Sequence, residues 1–429
     1  MLLIYTQKIT PRIVYSFKHI CSNILGIPIK FTSKIEEFIA HEGMKISYGK
    51  QPLGNELFFQ KVGLLMEQGL SEVEIKVQPW DNTFCYFPVP EASALPFDIF
   101  AASFYLLSRY EEYLPHVKDE TGKFPAAESL AYQESFLDTP VVDIWAFKLK
   151  EILLERFPET EFQNREFGSQ VVIAVEKAFA YRNKGFIRSI VGTHMDIIRL
   201  RFGKVLDRLR VLLRLKKDPY NTFEDLIHFL KLYRVKMFFM FQLSDFSIHD
   251  RNINYNRIPY RSVIKYVGDY TKVGVSLGYY ALKNIRTLRS EKLRMEEIVH
   301  SPLEYVLNNQ HDLALPDCYN NLTELEVNND FSMGYPATPG FRAGTCTPFL
   351  FYDINMEMTT PLLVHPYFLN SEVIESGRPE EIKKVVSKAL QEVKKVGGTF
   401  QAIFRNDDFS EYSDKNLYYS FLKQIYEIE

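Results

Sequence analysis

The chain has 429 residues, enough for two or three domains, and its 46% apolar and 24% charged residues are the composition of an ordinary globular protein. Lys and Arg number 51 against 54 Asp and Glu, so the net charge of −3 argues against a dedicated nucleic-acid-binding protein. No run approaches the ~20 apolar residues of a membrane span, and the first residues lack the pattern of a signal peptide. The four cysteines form no closely spaced pair. We therefore predict a cytoplasmic protein with free thiols.

The first part of the chain has the pattern of an α/β unit. A short apolar run predicts a strand at residues 2–5, and helical spacing predicts a helix at residues 12–25. Alternating apolar residues predict a strand at 72–77, and two strong helical patterns cover residues 97–113 and 140–157. Together they predict an N-terminal α/β domain over residues 1–165.

Strands and helices alternate in the second part, which is typical of parallel βα units. The predicted strands are residues 171–175, 236–243, 273–276 and 399–404, and the predicted helices are residues 260–272, 291–307 and 372–396. An alternation of about 260 residues fits one barrel-like domain. We therefore predict a second domain over residues 170–429.

One segment stands out by its charge. Residues 199–217 hold eight basic residues and one acid, Asp207, and their leucines recur at helical spacing. Such a segment could lie on an anionic membrane surface or bind an acidic glycan. The alternative interpretation is a solvated helix packed on the domain.

Five segments carry a resemblance to a known family: residues 97–150, 177–192, 218–226, 310–322 and 330–362. The last is the most specific, because it contains the rare run Gly340-Phe341-Arg342-Ala343-Gly344-Thr345. With these segments the chain resembles the polysaccharide deacetylase superfamily (carbohydrate esterase family 4), in the two-domain form of Bacteroidetes-type bacteria. The resemblance implies a distorted (β/α) barrel of roughly seven strands after the N-terminal α/β domain, with the active site at the carboxyl ends of the strands.

The same resemblance implies a chemistry that can be checked residue by residue. In active members a carboxylate and two histidines hold a divalent metal, often zinc, while a second carboxylate acts as general base and a histidine as general acid. In this chain the base position is Ala174, one metal histidine is replaced by Ser276, and the acid is replaced by Arg405. Glu176 and His311 remain as candidate metal ligands, which are too few for a catalytic zinc.

These replacements predict a catalytically inactive relative with no cofactor. Arg342 and Arg405, with Glu176 and Tyr335, are candidate ligand-binding residues, because guanidinium groups bind carboxylates and phosphates in pairs of hydrogen bonds. Glu176 could instead form a structural salt bridge with Arg342. We expect binding of a carbohydrate, an anionic sugar derivative or a protein partner in cell-envelope polysaccharide metabolism, and no binding of nucleic acid. The competing hypothesis is an active metal-dependent hydrolase, an N- or O-deacetylase of a polysaccharide, with zinc or another divalent ion at a shifted site.

Overall fold

A small parallel sheet opens the chain. The computed structural model of the protein describes residues 1–120, 122–308 and 313–428. The first sheet has the order β2-β1-β3-β4, with all pairs parallel. Its strands are β1 (Leu2–Tyr5), β2 (Ile29–Thr32), β3 (Lys45–Gly49) and β4 (Leu57–Gln60). The predicted strand at residues 2–5 is confirmed, and all its residues are buried because it lies between two neighbouring strands.

Helices and one short antiparallel pair complete the first part. The helices are α1 (Pro11–Phe17), α2 (Ile35–Ala40), α3 (Ile99–Leu107), α4 (Tyr110–Tyr113), α5 (Leu130–Gln133) and α6 (Val141–Arg156), and β5 (Gln78–Trp80) pairs with β6 (Thr83–Cys85). Helix α1 continues as a π-helical segment, Lys18–Ile24, so the predicted helix at residues 12–25 is confirmed. Short 3-10 turns lie at Leu64–Met66 and Ala126–Glu128.

Two predictions for this part need correction. The strand predicted at residues 72–77 is wrong, because this stretch has no partner strand among the described residues. Its alternation arises because Val73, Ile75 and Val77 lean on the apolar core while their neighbours face solvent. The single helix predicted at 97–113 is two helices, since Arg109 adopts a left-handed backbone with φ of 55° between α3 and α4.

The second sheet is a curled half-barrel of nine strands. Its order is β12-β13-β11-β10-β9-β8-β7-β15-β14, and only β12 is antiparallel to its neighbour. The strands are β7 (Gly168–Val175), β8 (Lys236–Gln242), β9 (Val273–Ser276), β10 (Tyr305–Leu307), β11 (Asn329–Met333), β12 (Phe349–Asp353), β13 (Met358–Pro366), β14 (Leu369–Asn370) and β15 (Thr399–Arg405). The predicted α/β fold class with a barrel-like sheet is confirmed.

Helices connect these strands. They are α7 (Phe186–Ile198), α8 (Phe202–Leu212), α9 (Phe223–Tyr233), α10 (Ile258–Gly268), α11 (Ile285–Val299), α12 (Asp317–Glu324), α13 (Ser371–Ser376), α14 (Pro379–Lys395) and α15 (Lys415–Tyr426), with a 3-10 turn at Asn406–Phe409. The helix predicted at 291–307 is wrong at its end. Helix α11 stops where His300 takes a left-handed backbone with φ of 56°, and the remaining apolar residues form β10.

One apolar core joins the two parts of the chain. It contains β1 and α3 residues together with β7, β12 and β15 residues. No strand of either sheet crosses residues 165–167, so the observed sheets lie on either side of the predicted boundary, and the division into domains stays a prediction. Every helix within the described ranges is too short or too polar to cross a lipid bilayer.

Candidate functional site

The carboxyl ends of the parallel strands meet at one edge of the half-barrel, which we call the strand-end edge. Parallel sheets bind ligands at this edge because the loops that follow the strands converge there. Glu176 follows β7, Ser276 ends β9 and Arg405 ends β15. The strand register sets Arg405 beside Ala174, and Ser276 beside Gln242 of β8. Three sequence-predicted positions, Ala174, Ser276 and Arg405, therefore lie at or next to the same edge.

Ala174 lies in an apolar interior. It is fully buried in a cluster inside the half-barrel whose members are Val172, Ala174, Met240, Leu307, Phe331, Tyr367 and Ile403. In the resemblance this position supplies a carboxylate base. An apolar interior raises the free energy of a charged carboxylate or an ion placed there. The surroundings of Ala174 are therefore suited to packing and not to proton transfer.

The candidate metal ligands are only partly described. Glu176 is 8% exposed at the end of β7, while His311 lies outside the described residues. Within residues 1–120, 122–308 and 313–428, no three His, Cys, Asp or Glu side chains converge so that they could hold a metal ion. The described donor set does not fit the implied zinc, so we derive no step through a metal.

A pair of buried carboxylates lies beside Ser276. Asp250, 2% exposed, accepts hydrogen bonds from Nε2 of Gln242 at 2.7 Å and from the backbone N–H of Tyr279 at 3.0 Å. Glu291, fully buried on α11, accepts one from the N–H of Gly278 at 3.1 Å. A Cβ atom on Gly278 would lie 2.7 Å from Oε1 of Glu291 and 3.1 Å from Oδ2 of Asp250, so only glycine fits between the two acids.

Glu291 keeps its proton at neutral pH. Burial raises its pKa to about 8, and the charge of Asp250 shifts the pKa in the same direction. Among the described residues, Oε1 of Glu291 and Oγ of Ser244 have no hydrogen-bond partner. A protonated Glu291 lowers the electrostatic repulsion between the two buried acids.

The protonation of Glu291 gives a testable prediction. Unfolded glutamate ionises near pH 4.5, whereas folded Glu291 holds its proton until about pH 8, so unfolding releases a proton between these values and stability falls as the pH rises. Glu291→Gln resembles the protonated acid. We expect it to exceed wild type by on the order of 1–3 kcal/mol in free energy of unfolding at pH 8, with the gap closing at pH 4.

Denaturant titrations at the two pH values measure this gap. Glu297→Gln is the matched control, because Glu297 lies on the same helix with its side chain 63% exposed. An equal gap at both pH values would show that the pKa of Glu291 is not raised in the folded protein.

Arg342 is held by a carboxylate from the first part of the chain. Its Nε and one terminal nitrogen donate to the two oxygens of Glu112 at 2.8 and 2.6 Å. Arg109 also donates to Glu112 at 2.7 Å, and further donates to the carbonyl of Arg342. Tyr335 is 4% exposed, and its ring centre lies 5.1 Å from the guanidinium carbon of Arg342. The Tyr335 hydroxyl accepts a hydrogen bond from Arg109 at 3.3 Å. The carboxylate that pairs with Arg342 is therefore Glu112.

Arg405 is likewise surrounded by acids of its own chain. It donates to Asp408 at 3.0 Å and to Glu375, while Asp407 lies at 3.8 Å. Asp408 also accepts the backbone N–H of Arg405 at 2.7 Å. Burial raises the pKa of Asp408 to about 6, and the Arg405 charge opposes that rise. A ligand anion at Arg342 or Arg405 would have to displace these carboxylates, and ligand binding by either arginine stays a prediction.

The aromatic side chains in the loops after β8 and β9 were not among the predicted site residues. The His249 ring stacks on Tyr279 with 3.9 Å between centroids, and Tyr280 meets Tyr279 edge-on at 5.2 Å. Tyr280 is 49% exposed, and Phe246 in the loop after β8 is 55% exposed. The dipeptide Tyr279-Tyr280 in the loop that follows β9 was the available signal, because loops that follow parallel strands converge at the ligand-binding edge.

The fold and this edge define an α/β protein with a half-barrel built mainly of parallel strands. A family model described as a family of unknown function (DUF7033) matches residues 2–158. No curated protein matches the chain.

Two solved structures are similar to it. A protein assigned as a polysaccharide deacetylase from Mycobacterium smegmatis has 11% identity and a TM-score of 0.39, over 63% of this chain and 87% of its own. A mutant CE4 family pseudoenzyme with restored enzymatic activity has 8% identity and a TM-score of 0.31, over 61% of this chain and 64% of its own. Both similarities concern the arrangement of the chain alone.

Proposed function

We propose that this chain is a non-catalytic protein with a deacetylase-like half-barrel, and that it binds carbohydrate at the strand-end edge. The observation that carries the proposal is the group of aromatic side chains Phe246, His249, Tyr279 and Tyr280 beside an edge that lacks proton-handling groups at the expected positions. Exposed rings bind the apolar C–H faces of sugars, and nearby polar groups orient the hydroxyls.

The local structure holds this aromatic group in place. Asp250 fixes the backbone of Tyr279, and Lys283 donates to the Tyr279 hydroxyl at 2.6 Å while lying 4.2 Å above its ring. His249 stacks against the same ring. A ring that is already oriented loses little conformational entropy on binding, which favours affinity. Tyr280 and Phe246 then offer the exposed surface on which a sugar can lie.

The absence of catalysis rests on three positions. Ala174 is buried in an apolar cluster, Ser276 is 2% exposed at the end of β9, and Arg405 is ion-paired with Asp408. An alanine cannot take a proton, and arginine does not release one near neutral pH. The general-base and general-acid roles of deacetylation are therefore unassigned at the positions where the resemblance expects them.

Calorimetric titration with chitin-type and acidic oligosaccharides tests the binding proposal. We expect Tyr280→Ala to weaken binding by about tenfold, as stacked aromatic contacts do on truncation. Tyr132→Ala is the matched control, because Tyr132 has the same 49% exposure on α5 in the first part of the chain. No heat with any oligosaccharide, or equal losses in both variants, would refute carbohydrate binding at this edge.

The competing function is an active hydrolase with a shifted metal site. Acetate release from acetylated oligosaccharides and metal analysis of the purified protein separate the two functions. Near-stoichiometric zinc that disappears in His311→Ala, together with acetate release, would establish the enzyme and refute the non-catalytic proposal.

A further inference from the structure

The two helices that follow β7 expose most of the apolar side chains that the structure describes in them. We call residues 186–217, which contain α7 and α8, the helical hairpin. On α7 the exposed apolar residues include Ile190, Val191, Met195, Ile197 and Ile198, and in or just after α8 they are Phe202, Leu206, Leu209, Leu212, Leu213 and Leu215. Of these, Phe202, Leu206, Leu209 and Leu213 recur at intervals of four, three and four residues, which defines one face of a helix.

Polar contacts form the inward side of the hairpin. Arg208 of α8 donates to the carbonyl of Ser189 at 2.9 Å, to the hydroxyl of Thr193 at 3.0 Å and to Asp196 at 2.5 Å, which joins the two helices. Asp207 accepts from the hydroxyl of Tyr412 at 3.0 Å, which joins α8 to the loop after β15. Val211 of α8 is also buried, against Ala180 and Tyr181, but the larger part of the described apolar surface of the two helices faces outward.

Basic side chains surround this apolar face. The part from Arg199 to Lys217 carries a net charge of +7 in a chain whose total is −3. Its exposed basic residues are Arg199, Arg201, Lys204, Arg210, Arg214 and Lys217. An exposed apolar helix face marks an interaction surface. The positive charges that flank it favour a partner with a negatively charged surface.

We propose that the helical hairpin binds the surface of an anionic phospholipid bilayer. The apolar face enters the boundary between headgroups and acyl chains, and the surrounding guanidinium and ammonium groups pair with lipid phosphates. Both helices can bind the same bilayer, because their apolar faces are open to solvent. The polar contacts between the helices, made by Arg208, stay on the side that faces the protein. The inference does not depend on carbohydrate binding, since no residue of the hairpin belongs to the aromatic group.

Flotation of the full chain with vesicles tests this proposal. We expect the protein to bind vesicles of phosphatidylcholine with phosphatidylglycerol, to bind pure phosphatidylcholine weakly, and to dissociate as salt is raised. The triple variant Leu206→Gln, Leu209→Gln, Leu213→Gln keeps the charge and the helix propensity, and should lower the partition coefficient at least about tenfold. Arg199→Gln with Arg201→Gln and Arg214→Gln should lower binding to the anionic vesicles by a similar factor.

The matched control is Ile39→Gln with Leu232→Gln and Leu293→Gln, because these three side chains are 68%, 60% and 56% exposed outside the hairpin. Unchanged circular dichroism and melting of each variant show that the fold is retained. Failure of wild type to bind anionic vesicles at low salt, or equal binding by the leucine variant, overturns the proposal. A wild-type dimer that the leucine variant converts to monomer, with no vesicle binding, overturns it in favour of a contact between two copies.

Discussion

Replacing Glu112 with alanine is expected to lower the free energy of unfolding by about 3–5 kcal/mol, because the substitution leaves two buried guanidinium groups without their shared carboxylate. Glu112 has a side-chain exposure of 5%, and Arg342 and Arg109 have 7% and 1%. Removing a buried charge partner costs more than an intact pair contributes, since the remaining charge stays desolvated. Denaturant titration at pH 7 measures this loss.

The pH dependence of this loss in the free energy of unfolding shows how much of it comes from the charge of Glu112. Burial alone would raise the pKa of Glu112, but the charges of Arg342 and Arg109 outweigh it and lower the pKa to about 2. The stabilisation is complete above the unfolded pKa of about 4.5 and is lost as the pH falls toward 2. The gap between wild type and Glu112→Gln should therefore shrink across this window.

The exposed pair of Arg378 and Glu381 provides the control for Glu112. Their side chains are 84% and 65% exposed, so Glu381→Ala should cost less than about 1 kcal/mol. A loss in Glu112→Ala no larger than in Glu381→Ala would show that Glu112 does not hold the two arginines in the folded protein.

Replacing Asp143 with alanine is expected to lower the free energy of unfolding by about 3–5 kcal/mol, because several buried donors lose their acceptor. Asp143 is fully buried in the first turn of α6. One carboxylate oxygen accepts from the Thr345 hydroxyl at 2.6 Å and from the Cys346 N–H at 2.9 Å, and the other accepts from the Thr347 hydroxyl.

Thermal and chemical unfolding of Asp143→Ala measure this loss. Glu155→Ala is the matched control, since Glu155 lies on the same helix and is exposed. A cost within about 0.5 kcal/mol of that control, the range usual for surface substitutions, would contradict the hydrogen-bonding role of Asp143.

The local sequence pattern was sufficient to predict the long strands and helices of the second part of the chain and helix α6. Strands β7, β8 and β15 and helices α6 and α14 were predicted because their apolar residues recur with the period of a buried strand or a one-sided helix over many residues. Strand β11, Asn329–Met333, carries polar residues and was not predicted, since its pairing with β10 and β13 depends on tertiary contacts. The same holds for the short strand β10, whose three residues look like the end of a helix.

The sequence was sufficient to predict which catalytic side chains are replaced in this chain. It was not sufficient to predict which residues the remaining site residues contact. The replacements at Ala174, Ser276 and Arg405 could be taken from aligned motifs, and the sheet register sets Arg405 beside Ala174. Glu112 could not be assigned to Arg342 in the same way, because 230 residues separate them and no local pattern connects such partners. Arg342, in the segment 330–362, was predicted to face a cleft, yet this segment contacts residues 97–150 through Glu112 and Asp143.

Helix α3 has a consequence for the biosynthesis of this protein. All nine of its residues are buried, and Phe104 and Leu106 contact Tyr352 and Gly344 from the far end of the sequence. A helix without a solvent-facing side gains its stability from its surroundings. During translation this segment leaves the ribosome long before those residues are synthesised. Its apolar surface stays unpaired until they are available. We therefore expect the nascent chain to expose an apolar segment that chaperones can shield until translation reaches β12.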